Sequence, residues 1–386
     1  MKIGIDARFL THPQPGGFKT YTENLIAALA RIDTENEYIL YIDRPPDDSC
    51  KIPVNLKFVS RVVSGLLPVV GMPWREQVGL ARRVTRDRIE LFHSPSLTAP
   101  LLLGCPLVIT VHDMIWAFPE KFSRNGSWSF QRKLMEWYNR LVPRFASRRA
   151  SAIITVSHAA KDSIVKHLGL VADRVFVTHE SASPSFRQIT DVKCIESARQ
   201  KFNLPTNFIL AIGSADPRKN LSTLLNAYAR LPVELQAEYK LAIVWTHSFL
   251  AASLSIQIEE LGLTNHVQFL EHVSNDDLVF LYNAASLFVF PSLYEGFGLP
   301  PLEAMACGTP VIAGDNSSIP EIVGDAGLLF DAQDPEAISA AMKQVLTDNP
   351  VRLSLKQKGL DRASSFSWDR CARETITVYK EAVASH

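Results

Sequence analysis

Two glutamates in the stretch LYEGFGLPPLEAMACGTPV, residues 293–311, are the side chains best placed to do chemistry in this sequence. Glu295 and Glu303 stand on either side of a turn that contains Gly296 and Gly298, and two prolines follow where a helix pattern begins. Glycines let a backbone approach a ligand closely, and the free amides of a helix start attract anions. Because a carboxylate repels phosphate, we expect both acids to face hydroxyl groups instead.

The hydroxyl groups that suit this arrangement are those of sugars. A carboxylate accepts two hydrogen bonds from vicinal hydroxyls, and a ligand with phosphate at its centre and sugar hydroxyls on both sides is a nucleotide sugar. Taken singly, Glu295 would be interpreted as a solvated loop acid and Glu303 as an acid stabilised by a helix start. Their joint position on one loop favours a functional site.

A second loop places two cations after another strand pattern. The run NFILAIG ends at Gly213, and SADPRKN then brings Arg218 and Lys219 to the start of the helix pattern LSTLLNAYARL, with Asn220 as the expected N-cap. Two such cations can clamp a diphosphate. Without the acidic loop, a solvated pair at a helix start would explain them equally well.

The first half of the chain offers weaker candidates. Gly16 and Gly17 precede a helix pattern and can bring backbone amides to a phosphate, although the glycine spacing of a dinucleotide fingerprint is absent. His112 and Asp113 follow the strand pattern PLVITV, at what would be a carboxyl end. A flexible turn and a structural histidine are the competing interpretations of these positions.

Strand and helix patterns alternate along the chain, which predicts an α/β protein with two Rossmann-like domains built on parallel sheets. The ligands of such sheets bind at the carboxyl ends of strands, where these candidates lie. The predicted domains are residues 1–188 and residues 189–367. Residues 368–386 form a final helix. The predicted strands lie in KIGID, EYILYI, LKFVS, IELFH, PLVITVH, AIITVS and RVFVT, and then in NFILAIG, KLAIVWT, VQFLEHV, SLFVFPS, TPVIAG and GLLF.

Composition narrows the class of protein. The chain has 386 residues, 47% hydrophobic and 21% charged, with a formal net charge of zero, which disfavours nucleic-acid binding. Its five cysteines show no C-x-x-C spacing, so we expect a reducing compartment and no structural zinc. The start MKIGID carries no signal-peptide pattern, and we expect a cytoplasmic protein.

These residues resemble the motifs of glycosyltransferase family 4, whose members have the GT-B fold, with two Rossmann-like domains that face each other across a cleft. The resemblance covers essentially the whole chain and is most specific in its second half. It implies that residues 1–188 are the acceptor domain and residues 189–367 the nucleotide-sugar donor domain. The family's E-x7-E motif corresponds to Glu295–Glu303 within EGFGLPPLE, and its basic motif corresponds to PRKN. The stretches GIDARFL, TYTENL and VHD resemble mannosyltransferase-type members.

The resemblance implies roles for individual residues. Glu295 and His112 would approach the donor hexose, and Glu303 would bind the ribose. Arg218 and Lys219 would bind the diphosphate. The remaining positions of the implied donor site are Gly16, Gly17, Val273, Gly296, Phe297, Gly298 and Leu299.

The sequence departs from the family pattern at two places. Ser214 follows Gly213 where many relatives have an arginine, so Arg218 would have to supply that phosphate contact. The segment VTHESASPSF, after the last strand of the first domain, lacks the asparagine-glycine turn common there. In the family the last helix returns to the first domain, and we expect the same of SWDRCARETITVYKEAVA.

The activity implied is transfer of a hexosyl unit, with mannose from GDP-mannose favoured over a UDP-sugar, to an acceptor hydroxyl with retention. The sequence contains no D-x-D tripeptide, so we expect neither a metal nor another cofactor. The acceptor would be a glycan, a lipid-linked sugar or a polysaccharide. A sugar-nucleotide epimerase and a non-catalytic nucleotide-sugar-binding protein are the alternatives.

One segment suggests a peripheral position at the inner face of the membrane. Residues 128–149, WSFQRKLMEWYNRLVPRFASRR, mix aromatic side chains such as Trp137 and Tyr138 with six cations and resemble an interfacial helix. Residues 1–190 hold 25 Lys and Arg against 17 Asp and Glu, so this half of the chain is basic. Core packing with a solvated basic face is an equally good interpretation.

Overall fold

The computed structural model describes residues 1–12, 16–47, 50–53, 55–65, 71–117, 130–245 and 252–386, with the side chains of 130–134 and 136 excepted. They form two compact units, one comprising Met1–Glu180 with Ser367–His386 and the other Ser181–Phe366. The first boundary lies before the predicted one at residue 188. The connecting segment between the last strand of the first unit and the next helix has no regular pattern, so periodicity alone did not locate it.

The first unit is built on a parallel sheet of seven strands. The strands are β1 Lys2–Asp6, β2 Glu37–Ile42, β3 Phe58–Val62, β4 Leu91–Ser94, β5 Leu107–Thr110, β6 Ala152–Thr155 and β7 Val175–Val177. Their spatial order is β3-β2-β1-β4-β5-β6-β7. The helices of this unit are α1 Gly17–Ile32, α2 Gly71–Trp74, α3 Ala81–Arg86, α4 Phe130–Arg149 and α5 His158–Leu168.

The second unit repeats the design with a six-stranded parallel sheet. Its strands are β8 Phe208–Gly213, β9 Lys240–Trp245, β10 Val267–Leu270, β11 Leu287–Phe290, β12 Val311–Gly314 and β13 Leu328–Phe330, in the order β10-β9-β8-β11-β12-β13. Its helices are α6 Val192–Lys201, α7 Leu221–Ala229, α8 Val233–Glu238, α9 Ala252–Glu260, α10 Asn275–Ala284, α11 Leu299–Ala306, α12 Ile319–Val323, α13 Pro335–Thr347 and α14 Asn349–Ser364.

Both faces of the second sheet are covered, as a parallel sheet requires. Along β8, Phe208 and Leu210 belong to one buried cluster, and Ile209 and Ala211 belong to the cluster on the other side. Successive side chains point to opposite faces of a strand, so a strand buried on both faces is apolar throughout. This is why the apolar runs in the sequence identified the strands, and the predicted fold class is confirmed.

Each sheet has a point where the strand order reverses, between β1 and β4 in the first unit and between β8 and β11 in the second. Ligands of open α/β sheets bind in the crevice at this point, outside the carboxyl ends of the strands. The loop after β8 carries the basic pair, the loop after β11 carries Glu295, and the helix that follows this second loop carries Glu303. The topology therefore brings the two motifs of the second unit together.

The final helix, α15 Trp368–Ala384, packs against α1 of the first unit. Its buried Tyr379 places its hydroxyl 2.7 Å from Nδ1 of His93 in β4, and Nε2 of His93 lies 2.8 Å from Oγ1 of Thr110 in β5. A buried imidazole thus links the end of the chain to the centre of the sheet. Among the described residues, no helix combines the length and the apolarity needed to cross a bilayer.

Candidate functional site

The loop between β11 and α11 ends at a glycine whose backbone conformation suits few other residues. Gly298 is the N-cap of α11 and has φ 118° and ψ 47°, a backbone geometry that side chains rarely tolerate. A Cβ at this position would lie 2.9 Å from Cδ1 of Ile319. The two prolines that follow occupy the first helical turn, where a missing N–H costs no hydrogen bond.

Glu295, on this loop, is bound to the cation of the neighbouring loop. Its Oε1 accepts hydrogen bonds from Nζ of Lys219 at 2.7 Å and from Oγ of Ser292 at 2.6 Å. The ammonium of Lys219 also lies 5.2 Å from the centre of the Phe290 ring, within the range of a cation–π contact. Both charged side chains are partly shielded from solvent, with 15% of Glu295 and 19% of Lys219 exposed.

Two serines at the start of α12 fix the backbone around Glu295. Oγ of Ser317 accepts from the Glu295 amide at 3.0 Å. Oγ of Ser318 donates to the carbonyl oxygen of Phe297 at 2.6 Å and lies 3.1 Å from that of Glu295. These serines were not identified from the sequence, because hydroxyl groups twenty residues away leave no local pattern.

Arg218 is also paired with an acid. Its Nη2 and Nε donate to Oδ2 of Asp216 at 2.7 and 2.9 Å, and its amide donates to Oδ1. Partial burial opposes ionisation of Asp216, but the hydrogen bonds from Arg218 outweigh it and hold the pKa of this carboxyl below its ordinary value. Asp216 therefore stays ionised and orients the guanidinium at neutral pH.

Hydrogen bonds tie the two loops together. The Leu293 amide donates to the carbonyl oxygen of Arg218 at 2.8 Å. Asn220 has left-handed backbone angles, φ 53° and ψ 36°, and its Nδ2 donates to the carbonyls of Pro291 and Ala332 at 3.1 and 2.6 Å. Asn220 is the N-cap of α7, as predicted, although its side chain makes no capping hydrogen bond to the described backbone of that helix. The left-handed backbone turns the amide toward the loop instead.

Glu303 lies in α11 and is 8% exposed. Its Oε2 accepts from the hydroxyl of Tyr282 in α10 at 3.3 Å. Burial, together with the negative charge of Glu303, raises the pKa of Tyr282 well above its ordinary value, so the phenol keeps its proton and remains a donor. The tyrosine therefore holds one oxygen of the carboxylate in a fixed position.

The other positions predicted to bind the donor in the second unit lie on this loop, with the exception of Val273. Gly296 and Phe297 are buried and Leu299 is half-buried at the start of α11. The half-buried Val273 follows β10 and packs against the buried cluster below the sheet. Their contact with a ligand stays a prediction.

In the first unit, Gly16 and Gly17 stand where α1 begins. Gly16 is the N-cap, with extended backbone at φ 163°, and the first amides of the helix have no intrahelical acceptor. A Cβ built on either glycine meets no described atom within 4 Å. Packing against the described residues does not demand glycine here, so the role of these two glycines in approaching a phosphate stays a prediction.

His112 is held by three side chains. The rings of Phe18 and Tyr21 meet the imidazole edge-on, with centroids 4.8 and 4.7 Å away. Nδ1 lies 3.2 Å from Oε1 of Glu180, a residue that the sequence did not single out. Nε2 is buried and makes no hydrogen bond to any described residue. An unpaired buried nitrogen is costly unless a ligand satisfies it, which supports a binding role for His112.

The arrangement in the second unit suits a phosphorylated ligand with hydroxyl groups. Arg218 and Lys219 follow the carboxyl end of β8, and Glu295, on the loop after β11, lies 2.7 Å from Lys219. Glu303 lies in the helix that follows that loop. Because each cation is already paired with an acid, the loops present ordered charges. A diphosphate and hydroxyl groups can replace these internal partners one for one.

Two family profiles match this chain in succession. The profile for Glycosyltransferase Family 4 matches residues 15–182, and the profile for glycosyl transferases group 1 matches residues 193–362. O-antigen chain mannosyltransferase B of Escherichia coli is 35% identical over 292 residues, which are 75% of this chain and 74% of that protein. Serotype-specific mannosyltransferase WbdA of Escherichia coli is 34% identical over 253 residues, 65% of this chain and 31% of WbdA. This chain thus matches about a third of that longer relative.

Sucrose-phosphate synthase from Thermosynechococcus elongatus is similar in fold, with a TM-score of 0.74, 19% identity and 100% of each chain covered. Three observations indicate the same family: the two Rossmann-like units, the match to both profiles and the similarity to the mannosyltransferases. The chain belongs to glycosyltransferase family 4 and is a glycosyltransferase with the GT-B fold.

Proposed function

We propose that this enzyme transfers mannose from GDP-mannose to an acceptor hydroxyl, with retention of anomeric configuration, in the synthesis of a glycan, a polysaccharide or a glycolipid. The contact between Lys219 and Glu295 supports this proposal most strongly. It joins their two loops at the point where the second sheet reverses its strand order. The similarity to mannosyltransferases supports mannose as the hexose.

In the proposed complex, each side chain binds the part of the donor that its chemistry suits. Arg218 and Lys219 bind the diphosphate, and Glu303 accepts hydrogen bonds from the ribose. Glu295 accepts hydrogen bonds from the hexose. His112, a residue of the first unit, also binds the hexose. Transfer then depends on positioning the donor and stabilising the departing diphosphate.

The leaving group acquires negative charge as the glycosidic bond breaks. Enzymes neutralise such charge with a divalent metal or with fixed cations. The acids beside the basic pair, Asp216 and Glu295, each hold a cation at 2.7 Å. We therefore propose that Arg218 and Lys219 supply this charge and that the reaction proceeds without a metal.

Retention fits a front-face reaction, in which the leaving phosphate oxygen accepts the proton of the attacking hydroxyl. The bond from the anomeric carbon to the phosphate oxygen breaks as the bond to the acceptor oxygen forms on the same face. The proton passes to the nucleoside diphosphate, so the reaction needs no dedicated base on the enzyme.

A donor competition tests this function. The enzyme is given equal amounts of GDP-mannose, UDP-glucose and UDP-N-acetylglucosamine with an acceptor pool from the host, and the products are separated. We expect mannose to be transferred preferentially and the new linkage to have the anomeric configuration of the donor by NMR. An isomerised nucleotide sugar formed without acceptor would indicate an epimerase, and nucleotide binding without turnover would indicate a binding protein.

We also propose that α4 places the enzyme at the inner face of a membrane that contains anionic lipid. Trp137, Leu141 and Phe145 recur every four residues, so they form one stripe, and they are 66%, 39% and 54% exposed. Arg144 and Arg148 are exposed on the same helix. An exposed apolar stripe flanked by cations suits the headgroup region of an anionic bilayer.

Tyr138 was predicted to be one of the interfacial side chains of residues 128–149, and that prediction was wrong. The hydroxyl of Tyr138 donates to Oε1 of buried Glu76 at 2.5 Å, so Tyr138 faces the interior of the unit and not the exposed stripe. Tyrosine has an apolar ring and a polar tip, and composition alone does not tell which side of a helix it takes. Trp128 and the side chains of Arg132 and Lys133, which belonged to the same prediction, lie outside the described part of the chain.

A further inference from the structure

We propose that Glu180 is a positioning residue for His112: it binds the Nδ1 proton of the imidazole and thereby presents Nε2 as a bare hydrogen-bond acceptor for a substrate hydroxyl. The assignment rests on the proposed function only in naming the hexose as the source of that hydroxyl. The orientation of the ring follows from contacts within the first unit.

The sheet brings the two residues together although they are far apart in sequence. His112 follows β5 and Glu180 follows β7, with β6 between them. The Val111 amide donates to the carbonyl oxygen of Ile154 at 2.9 Å, and the Thr178 amide donates to that of Thr155 at 2.8 Å. The backbones just before both residues are thus fixed to the same strand.

Glu180 has a chemical reason to need this partner. Its side chain is 4% exposed, and a buried carboxylate without a hydrogen bond is costly. In the described part of the chain, the hydrogen bond to this carboxylate comes from Nδ1 of His112, at 3.2 Å. An ionised carboxylate can only accept, so Nδ1 must carry the proton.

That proton decides what the other nitrogen can do. A neutral imidazole has one N–H and one lone pair, so a proton on Nδ1 leaves the lone pair on Nε2. Nε2 is the buried nitrogen that makes no hydrogen bond within the described residues. A hydroxyl of the substrate would donate to it and complete the hydrogen bonding of the ring.

The edge-on rings keep the imidazole from turning. Phe18 and Tyr21 meet it at interplanar angles of 84° and 89°. The hydroxyl of Tyr21 lies 3.3 Å from Oγ1 of Thr110, which in turn lies 2.8 Å from Nε2 of His93. The support for His112 is therefore continuous with the buried contacts of α15. The aromatic rings orient the imidazole but do not select its tautomer. Glu180 makes that selection.

Histidine NMR on the complete, ligand-free enzyme tests the assignment. Long-range proton–nitrogen correlation at pH 8 distinguishes the two tautomers, and the signals of His112 are those lost in His112→Gln. We expect the Nδ1–H tautomer in the wild-type enzyme. In Glu180→Leu we expect the Nε2–H tautomer, which predominates in free histidine. Glu374→Leu removes another acid of the same unit, which pairs with Arg370 on α15, and should leave the tautomer unchanged.

Kinetics separate positioning from general support of the fold. In Glu180→Leu, kcat for mannosyl transfer should fall by about 10- to 100-fold, as expected for loss of a residue that orients a ligand-binding histidine. The KM for the donor should change by less than about threefold, because most predicted donor contacts lie in the second unit. A change of KM alone would contradict a role at the transferred sugar.

Three results would overturn the proposal. They are an Nε2–H tautomer or an imidazolium in the wild-type enzyme at pH 8, an unchanged tautomer in Glu180→Leu, and a changed tautomer with unchanged kcat. The wild-type spectrum decides the first even if Glu180→Leu does not fold. Because the tautomer is measured without substrate, failure of mannosyl transfer would reject the proposed function and leave this measurement intact.

Discussion

Nζ of Lys219 lies 2.7 Å from Oε1 of Glu295. The cation assigned to the diphosphate and the acid assigned to the hexose are thus bound to each other across two loops. A donor that binds as proposed would exchange this internal ion pair for contacts with its phosphate and its hydroxyl groups. The site is therefore ordered before the donor arrives, which lowers the entropic cost of ordering it on binding.

The two glutamates should differ in what they contribute. Glu303→Gln should weaken binding of free GDP by about 10- to 100-fold, because a hydrogen bond to a charged group contributes about 1.5 to 3 kcal/mol. Glu295→Gln should leave GDP binding nearly unchanged and lower kcat. Calorimetry with GDP and transfer assays measure the two effects, with Glu336→Gln on the exposed face of α13 as the control. Equal GDP affinity in the wild-type enzyme and Glu303→Gln would contradict the ribose assignment.

Gly298→Ala should destabilise the second unit by about 1 to 3 kcal/mol, the usual cost of an unfavourable backbone conformation. An alanine would be strained at a φ of 118°, and its Cβ, 2.9 Å from Cδ1 of Ile319, would force that side chain to shift. Gly16→Ala, which has extended backbone and an open surrounding, should change stability by less than about 0.5 kcal/mol. Thermal unfolding of both variants checks this. Similar stability of the two would show that the loop adapts to the added Cβ.

Stability should decrease in mild acid because of His93. Burial, reinforced by repulsion from His112, lowers the pKa of His93 to about 3 from its ordinary value of 6.5. Below pH 6.5 the unfolded chain binds a proton that the native protein excludes, so this contribution is present above pH 6.5 and is lost as pH falls. The loss is about 2 kcal/mol at pH 5.

His93→Gln removes this titration and serves as the test. The difference in unfolding free energy between the wild-type protein and His93→Gln should shrink by about 2 kcal/mol between pH 7.5 and pH 5. Urea denaturation at several pH values measures it. Parallel pH profiles of the two proteins would contradict a neutral, buried His93.

The exposed stripe of α4 should bind anionic liposomes in a salt-sensitive way. Arg144→Gln should lower partitioning about fivefold, since each cation near an anionic surface contributes about 1 kcal/mol. Trp137→Ser should weaken binding as well, whereas Val233→Ser, at an equally exposed apolar position of the second unit, should not. Sedimentation with liposomes measures these effects. Absence of binding to anionic liposomes at low salt would reject the membrane proposal.

Local patterns predicted the fold because parallel strands that are buried on both faces are apolar throughout. The loops after β8 and β11 were recognised for the same reason, since each follows such a strand directly. The order of the strands then brings Lys219 to Glu295, although 76 residues separate them. No spacing in the sequence predicts that contact by itself.

Contacts between polar residues that are far apart in the chain could not be predicted from the sequence. Glu180 lies 68 residues from His112, and Tyr282 lies 21 residues from Glu303. A single buried acid or tyrosine has no periodicity and is not distinguished by composition. For Glu180 one signal was present: the segment VTHESASPSF departs from the asparagine-glycine turn common in the family.

Hydrolysis of nucleotide sugars in the presence of EDTA tests whether Arg218 and Lys219, without a metal, stabilise the departing diphosphate. Slow donor hydrolysis needs no acceptor. The wild-type enzyme should release mannose and GDP from GDP-mannose. Lys219→Ala should do so about 30- to 4000-fold more slowly, since truncating one partner of a largely buried charged contact costs about 2 to 5 kcal/mol and each factor of ten in rate corresponds to about 1.4 kcal/mol. Three results would contradict a metal-independent glycosyltransferase that uses Lys219: no hydrolysis of any nucleotide sugar, unchanged kinetics in Lys219→Ala, or a release that EDTA abolishes and magnesium restores.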